Sequence, residues 1–181
     1  MFTTEARPMH HLIAAILLAA GTAMAGDLPF PEAVQVFQRA QQGQDKEVAP
    51  AIAAFEALVR AEPRNPVYLA YLGGALSLKA RSAQAPLDRM KYAEEGLDQL
   101  DRALAALGPE QEKAQLRGVP MGLEARLTAA NTFLRLPDAI FHRRAQAKKL
   151  VAELQKHPAL PGAPASIRTA VDAAAAEAAK P

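Results

Sequence analysis

Residues 51–76, AIAAFEALVRAEPRNPVYLAYLGGAL, decide the fold. With Val48 just upstream, Ile52, Phe55 and Val59 repeat at the i, i+4, i+7, i+11 spacing of a helix that buries one face. Pro63, Asn65 and Pro66 end that helix and start another, because proline pushes its predecessor out of the helical region yet sits comfortably in a first turn. Tyr68, Leu72, Ala75 and Leu78 carry the face of the second helix. Gly73-Gly74 falls within it, where a glycine costs about 1 kcal/mol relative to alanine. A helix bears that cost where a neighbouring backbone must come close, so the pair predicts tight helix–helix contact, not a turn. Helix, proline corner, helix is the pattern of stacked helix pairs that bury one continuous core.

Outward from this stretch the reading stays helical. Leu28-Pro29-Phe30-Pro31 is an extended lead-in to a helix over 31–42, with a second over 46–61 and a third over 66–80. A polar connection, ARSAQAPLDR (80–89), precedes a helix over 88–107 whose stripe is Met90, Ala93, Leu97, Leu100, Leu104 and Leu107. Its other side carries Glu94, Glu95, Asp98, Asp101 and Arg102, a solvated face with ion pairs such as Asp98–Arg102. A charged connection, 110–121, has room for one helical turn. Helices follow over 121–135 and 138–156. HPALPGAPAS (157–166) is a proline-rich spacer. Ser166 is placed to cap a last helix with few large apolar residues, which docks weakly. The composition is rich in Ala, Leu, Glu, Gln, Lys and Arg and lacks alternating β-branched runs. The expected fold is therefore all-α: antiparallel helix hairpins, about six to seven helices in all.

The first residues read differently. Arg7, His10 and His11 lie in a polar start, LIAAILLAA (12–20) is a short apolar run, and Ala23-Met24-Ala25 supplies small residues before Gly26. That is the layout of a secretory signal peptide, and the apolar run is too short for the ~20 residues of a membrane-spanning helix. The expected division is a signal peptide over 1–25, a helical domain over 26–157 and a Pro/Ala-rich C-terminal segment over 158–181. A periplasmic or secreted location follows, with no stable membrane insertion once the signal is cleaved. The 181 residues contain no cysteine, so disulfides and thiolate chemistry are excluded, and stability must come from helix packing.

Within the helical region, 51–76 resembles a tetratricopeptide repeat. In that family a small residue, a large aromatic and a helix-ending proline punctuate the second helix of a unit, as Ala51, Phe55 and Pro63 do here. The next unit opens with a leucine-glycine pair, matched by Leu72-Gly73. The family's tryptophan is missing, with Leu69 near its place, and Leu76 replaces a tyrosine. Gly96, Leu100 and Ala103 resemble the next small-large-small punctuation, but arrive about eleven residues late for the ~34-residue period. Residues 77–91 therefore read as an insertion at the turn. A third, more divergent unit uses 121–135 and 138–156, with Ala145, Ala152 and Pro158 as relics. The resemblance implies an exported helical-repeat protein that binds a protein or peptide, and it implies no activity.

No catalytic constellation appears in the residues. His142 and His157 stand fifteen apart with no His-Glu-x-x-His spacing, the serines sit in no nucleophile elbow, and there is no phosphate loop. No enzyme, cofactor or metal is expected. The formal charge of +2 is too small for a protein that tracks phosphates, and nucleic acid is not an expected partner. Basic residues nevertheless cluster: Lys79, Arg81, Arg89 and Lys91 bracket the insertion, Arg126 and Arg135 share a helix, and His142, Arg143, Arg144, Lys148 and Lys149 crowd the next. Arginine forks suit carboxylates and phosphates. Lys79, Arg81, Lys91, Tyr92, Arg126 and Asn131 are the expected partner-binding residues, lining a concave face for an acidic peptide. Asparagines hydrogen-bond extended peptide backbones in tetratricopeptide grooves, and the resemblance offers Asn131 that role, with the capping of a neighbouring loop as the equal alternative. The alternative is a small-ligand or anion-binding protein of the periplasm, which requires a closed polar pocket where the peptide reading requires an open trough.

Overall fold

Asn65 makes the corner that the sequence marks. A computed structural model describes residues 28–180, so the signal-peptide reading of 1–25 lies outside the described residues. The Asn65 side-chain oxygen accepts from the backbone N–H of Val67 at 3.0 Å and of Tyr68 at 3.3 Å, and its amide donates to Glu62 at 3.0 Å. One buried side chain thereby satisfies two of the orphan donors at a helix start and holds the end of the preceding helix. The two helices are α2 (Val48–Ala61) and α3 (Pro66–Ser82), and α1 (Phe30–Gln41) precedes them through a short 3₁₀ turn.

α3 is the axis of the molecule. Every residue from Pro66 to Leu76 is buried, because α1, α2, α4 (Pro86–Ala105) and α6 (Met121–Arg135) surround it. That explains why the stretch reads apolar nearly all round instead of striped. Phe30 and Phe37 from α1, Phe55 from α2 and Tyr68 and Tyr71 from α3 form one aromatic cluster, in which Phe55 and Tyr71 stack at 5.0 Å. Leu97, Leu100 and Leu127 all face this interior.

α3 and α4 run antiparallel, with Gly73 against Gly96 and Leu100, and Lys79 beside Tyr92. The expected insertion at 77–91 is not a loop. α3 continues to Ser82 and α4 begins at Pro86, so the connection is only 83–85 and the extra residues lengthen both helices. Pro86 sits in the first turn of α4, where its missing N–H is no loss.

The fold is all-α, with nine α-helices among the described residues. Residues 110–121 do contain a helical turn, α5 (Pro109–Lys113), but then a two-stranded antiparallel hairpin, β1 (Gln115–Leu116) and β2 (Val119–Pro120). Arg117 (φ 53°) and Gly118 (φ 76°) make its turn, the paired positive φ angles that match the twist of hairpin strands. The helix expected over 138–156 is two: α7 (Asp138–Phe141), then left-handed His142 (φ 52°), then α8 (Arg144–Gln155). The last helix, α9 (Ala165–Ala178), buries Val171, Ala174 and Ala178 in contact with α8 and α6. No helix among the described residues is long and apolar enough to cross a membrane.

Candidate functional site

A trough of about 550 Å³ is walled by α3, α4, the end of α6 and α7. Its floor is buried: Gly74, Leu78 and Ala80 from α3, Ala93 from α4 and Thr132 from α6. Two large apolar side chains stand exposed at its edges. Met90 on α4 is 39% exposed and Ile140 on α7 is 55% exposed. Among the described residues three arginines join the lining, Arg81, Arg89 and Arg135, and no carboxylate does. Its size is that of an ordinary ligand pocket, and its chemistry is apolar below and cationic around.

Local structure sets each of these groups. Arg81 and Arg135 fall in the last turns of α3 and α6, where cations complement the helix dipole. Arg89 lies in the first turn of α4, and its Nε donates to the Ala83 carbonyl at 2.7 Å, which fixes the guanidinium over the α3–α4 connection. Arg81 has only long contacts, to the Ala40 carbonyl at 3.4 Å and to exposed Asp45 at 3.9 Å. The hydroxyls of the trough point back into their own helices: Ser77 donates to the Gly73 carbonyl at 3.0 Å and Thr132 to the Thr128 carbonyl at 2.9 Å. Ile140 stands clear because the left-handed His142 ends α7 after one turn and lets the chain turn away into α8.

The sequence-predicted residues separate into three groups. Arg81 lines the trough. Lys79, Lys91 and Tyr92 come together on the neighbouring edge of the α3–α4 pair, with the Lys79 ammonium 4.0 Å and the Lys91 ammonium 5.8 Å from the Tyr92 ring centre. Arg126 and Asn131 lie elsewhere on α6 and do not line the trough. Arg126 is held by Glu112 of α5 through two bonds, 3.0 and 2.5 Å, and its Nε is 3.4 Å from Glu153 of α8. This pairing pulls the Glu112 carboxyl below the ordinary range and raises the Arg126 guanidinium. Arg143 is likewise held, by Asp101 at 2.9 and 2.6 Å. Arg102 bonds Gln99 at 2.9 Å, where the sequence suggested Asp98. Periodicity puts Met90 in an apolar stripe, and Arg89 and Arg135 stand in the basic scatter; the trough unites the three with Ile140.

A second cluster is built around a buried acid. Glu124 on α6 is 1% exposed, and its Oε1 accepts from the Tyr71 hydroxyl at 2.9 Å and from Arg117 at 2.5 Å. Arg117 reaches in from the hairpin turn and lies 4.7 Å from the Phe30 ring centre. Burial raises the Glu124 carboxyl, with Arg117 opposing, and burial followed by the Glu124 charge pushes the Tyr71 hydroxyl up. The second carboxylate oxygen, Oε2, has no hydrogen-bond partner among the described residues. None of Tyr71, Arg117 and Glu124 lines the trough. The cluster fastens the hairpin to α3 and α6.

Comparison with protein families, with curated proteins and with solved structures found no match. The chemistry of the trough is therefore the ground on which function is read. Its arginines can pair with anions, and its floor can take apolar groups out of water.

Proposed function

We propose that the protein is a non-enzymatic binding module of the cell envelope, exported by its N-terminal segment, whose trough receives an acidic, apolar segment of a partner protein. The observation that carries this reading is the lining itself: exposed Met90 and Ile140 over an apolar floor, with three arginines and no acid among the described residues. Apolar floors with a charged surround give affinity through burial and selectivity through sign. The resemblance of residues 51–76 to a tetratricopeptide repeat agrees with such a role. A small-anion carrier fits less well, since it needs polar groups on all sides and the trough is open above an apolar base.

Site-specific photo-crosslinking tests the proposal. A photoreactive residue at Ile140, in the trough, is expected to capture a discrete envelope partner, and one at exposed Ala152 on α8 is not. Arg81→Glu/Arg135→Glu is expected to abolish capture from Ile140. Capture that is equal from both positions, or untouched by the charge reversal, would overturn the reading.

A further inference from the structure

We infer that the trough takes an acidic amphipathic helix in preference to an extended chain, an inference that rests on the binding reading above and specifies the form of its partner. The walls are helices, whose backbone groups pair within themselves, so among the described residues no sheet edge faces the groove to add a strand to. The hydroxyls that remain, Ser77 and Thr132, already donate to the Gly73 and Thr128 carbonyls. An extended peptide brings an unpaired N–H and C=O at each residue, and each one buried without a partner weakens binding by about tenfold or more. A helix arrives with those groups already paired.

Charge selects the flanks of that helix. Arg89 is fixed through its Nε, which leaves both Nη groups to meet a carboxylate. Among the described residues Arg135 has no ion pair within 4 Å, and Arg81 has one, at 3.9 Å to exposed Asp45, besides its long bond to the Ala40 carbonyl. Met90 and Ile140, on the α4 and α7 walls, are placed to take apolar side chains repeating at i, i+3 or i+4 and i+7, with acids on either side of that stripe.

Fluorescence anisotropy with the full chain decides this. The probe is a labelled peptide of about 18 residues, roughly 27 Å as a helix, with leucines at the stripe positions and glutamates flanking them. Three competitors accompany it: the same peptide with a central proline, its lysine counterpart, and dodecanoate. The expected result is that the helical acidic peptide binds best and that the proline and lysine versions are each about tenfold weaker, equivalent to 1.4 kcal/mol. Arg81→Glu/Arg135→Glu is expected to remove the preference for glutamate. Equal binding of the proline version, or tighter binding of dodecanoate, overturns the helical inference while the trough remains a binding face. If no probe binds but the Ile140 cross-link persists, the helical inference alone falls. If the cross-link is also absent, both readings fall.

Discussion

Gly73 and Gly96 face each other where α3 packs on α4. A methyl built on Gly73 would lie 2.6 Å from the Gly96 carbonyl oxygen, and one on Gly96 would lie 2.8 Å from the Gly73 carbonyl oxygen. Backbone meets backbone here, so nothing can swing aside. Alanine at either position gains about 1 kcal/mol of helix propensity, but overpacking a fixed contact costs typically about 1–3 kcal/mol, and the second effect is expected to win. Gly73→Ala and Gly96→Ala should lower the melting temperature. Gly74→Ala should be milder, because its new methyl meets the Phe37 ring edge at 3.0 Å and no backbone. Thermal unfolding of the three variants checks this; a Gly73→Ala protein as stable as wild type would show that the helices can separate freely.

The Arg117–Glu124 pair makes stability depend on pH in a definite direction. Burial raises the Glu124 pKa, so the folded state holds the proton more tightly than the unfolded chain. The resulting contribution is complete below the ordinary glutamate value of about 4.3 and is lost as pH rises through the folded value. Glu124→Gln should flatten that part of the profile. Arg117→Ala removes the cation that opposes the shift, and should cost about 1–3 kcal/mol at neutral pH, less than a fully buried pair because the arginine side chain is 36% exposed. The loss should shrink in acid, where Glu124 is protonated. Urea unfolding across pH, wild type against both variants, reads the difference.

The α2–α3 corner and the close α3–α4 packing were legible because each rests on local chemistry: a Pro-Asn-Pro cap and a glycine pair inside a helical stripe. The hairpin was not, since its strands are two residues each and only Gly118 signals the turn. Nor was the break at His142, a non-glycine residue in a left-handed conformation. Periodicity says which side of a helix is apolar but not where its neighbour ends. Met90 therefore reads as core and proves to stand exposed at the edge of the trough. Glu124 meets Tyr71 across 53 residues of sequence, a pairing that only the packing of α3 against α6 creates.

Arg126 joins three elements and should be sensitive to the shape of its cation as well as the charge. Its fork holds Glu112 by two bonds, its Nε faces Glu153, and the His157 Nε2 is 3.5 Å from the same Glu112. Lysine keeps the charge but cannot reproduce the fork. Arg126→Lys should therefore recover little of what Arg126→Ala loses, on the order of 1–3 kcal/mol for a partly buried charged network. Glu112 has a lowered pKa, so its contribution is present above the ordinary glutamate value and is lost as pH falls through the folded one. Both variants should lose less stability on acidification than wild type. Chemical denaturation at neutral and acid pH would reveal it, and full rescue by lysine would refute the bidentate role.

Met90 and Ile140 separate the binding surface from the core. Leu100, 0% exposed at the α3–α4 contact, should cost about 2–5 kcal/mol when cut to alanine, because its side chain leaves a cavity among neighbours that cannot collapse. Met90 and Ile140 are 39% and 55% exposed, and exposed positions tolerate replacement to within about 0.5 kcal/mol. Met90→Ser/Ile140→Ser should therefore unfold at nearly the wild-type denaturant concentration while weakening the trough's hold on its partner by about tenfold or more, the range of a lost apolar anchor. The Leu100→Ala variant, assayed where it is still folded, should bind nearly normally. Paired denaturation and binding measurements on the three proteins test the division. Should the serine variant bind like wild type, the two apolar edges would be no part of the contact, and the arginines alone would have to account for it.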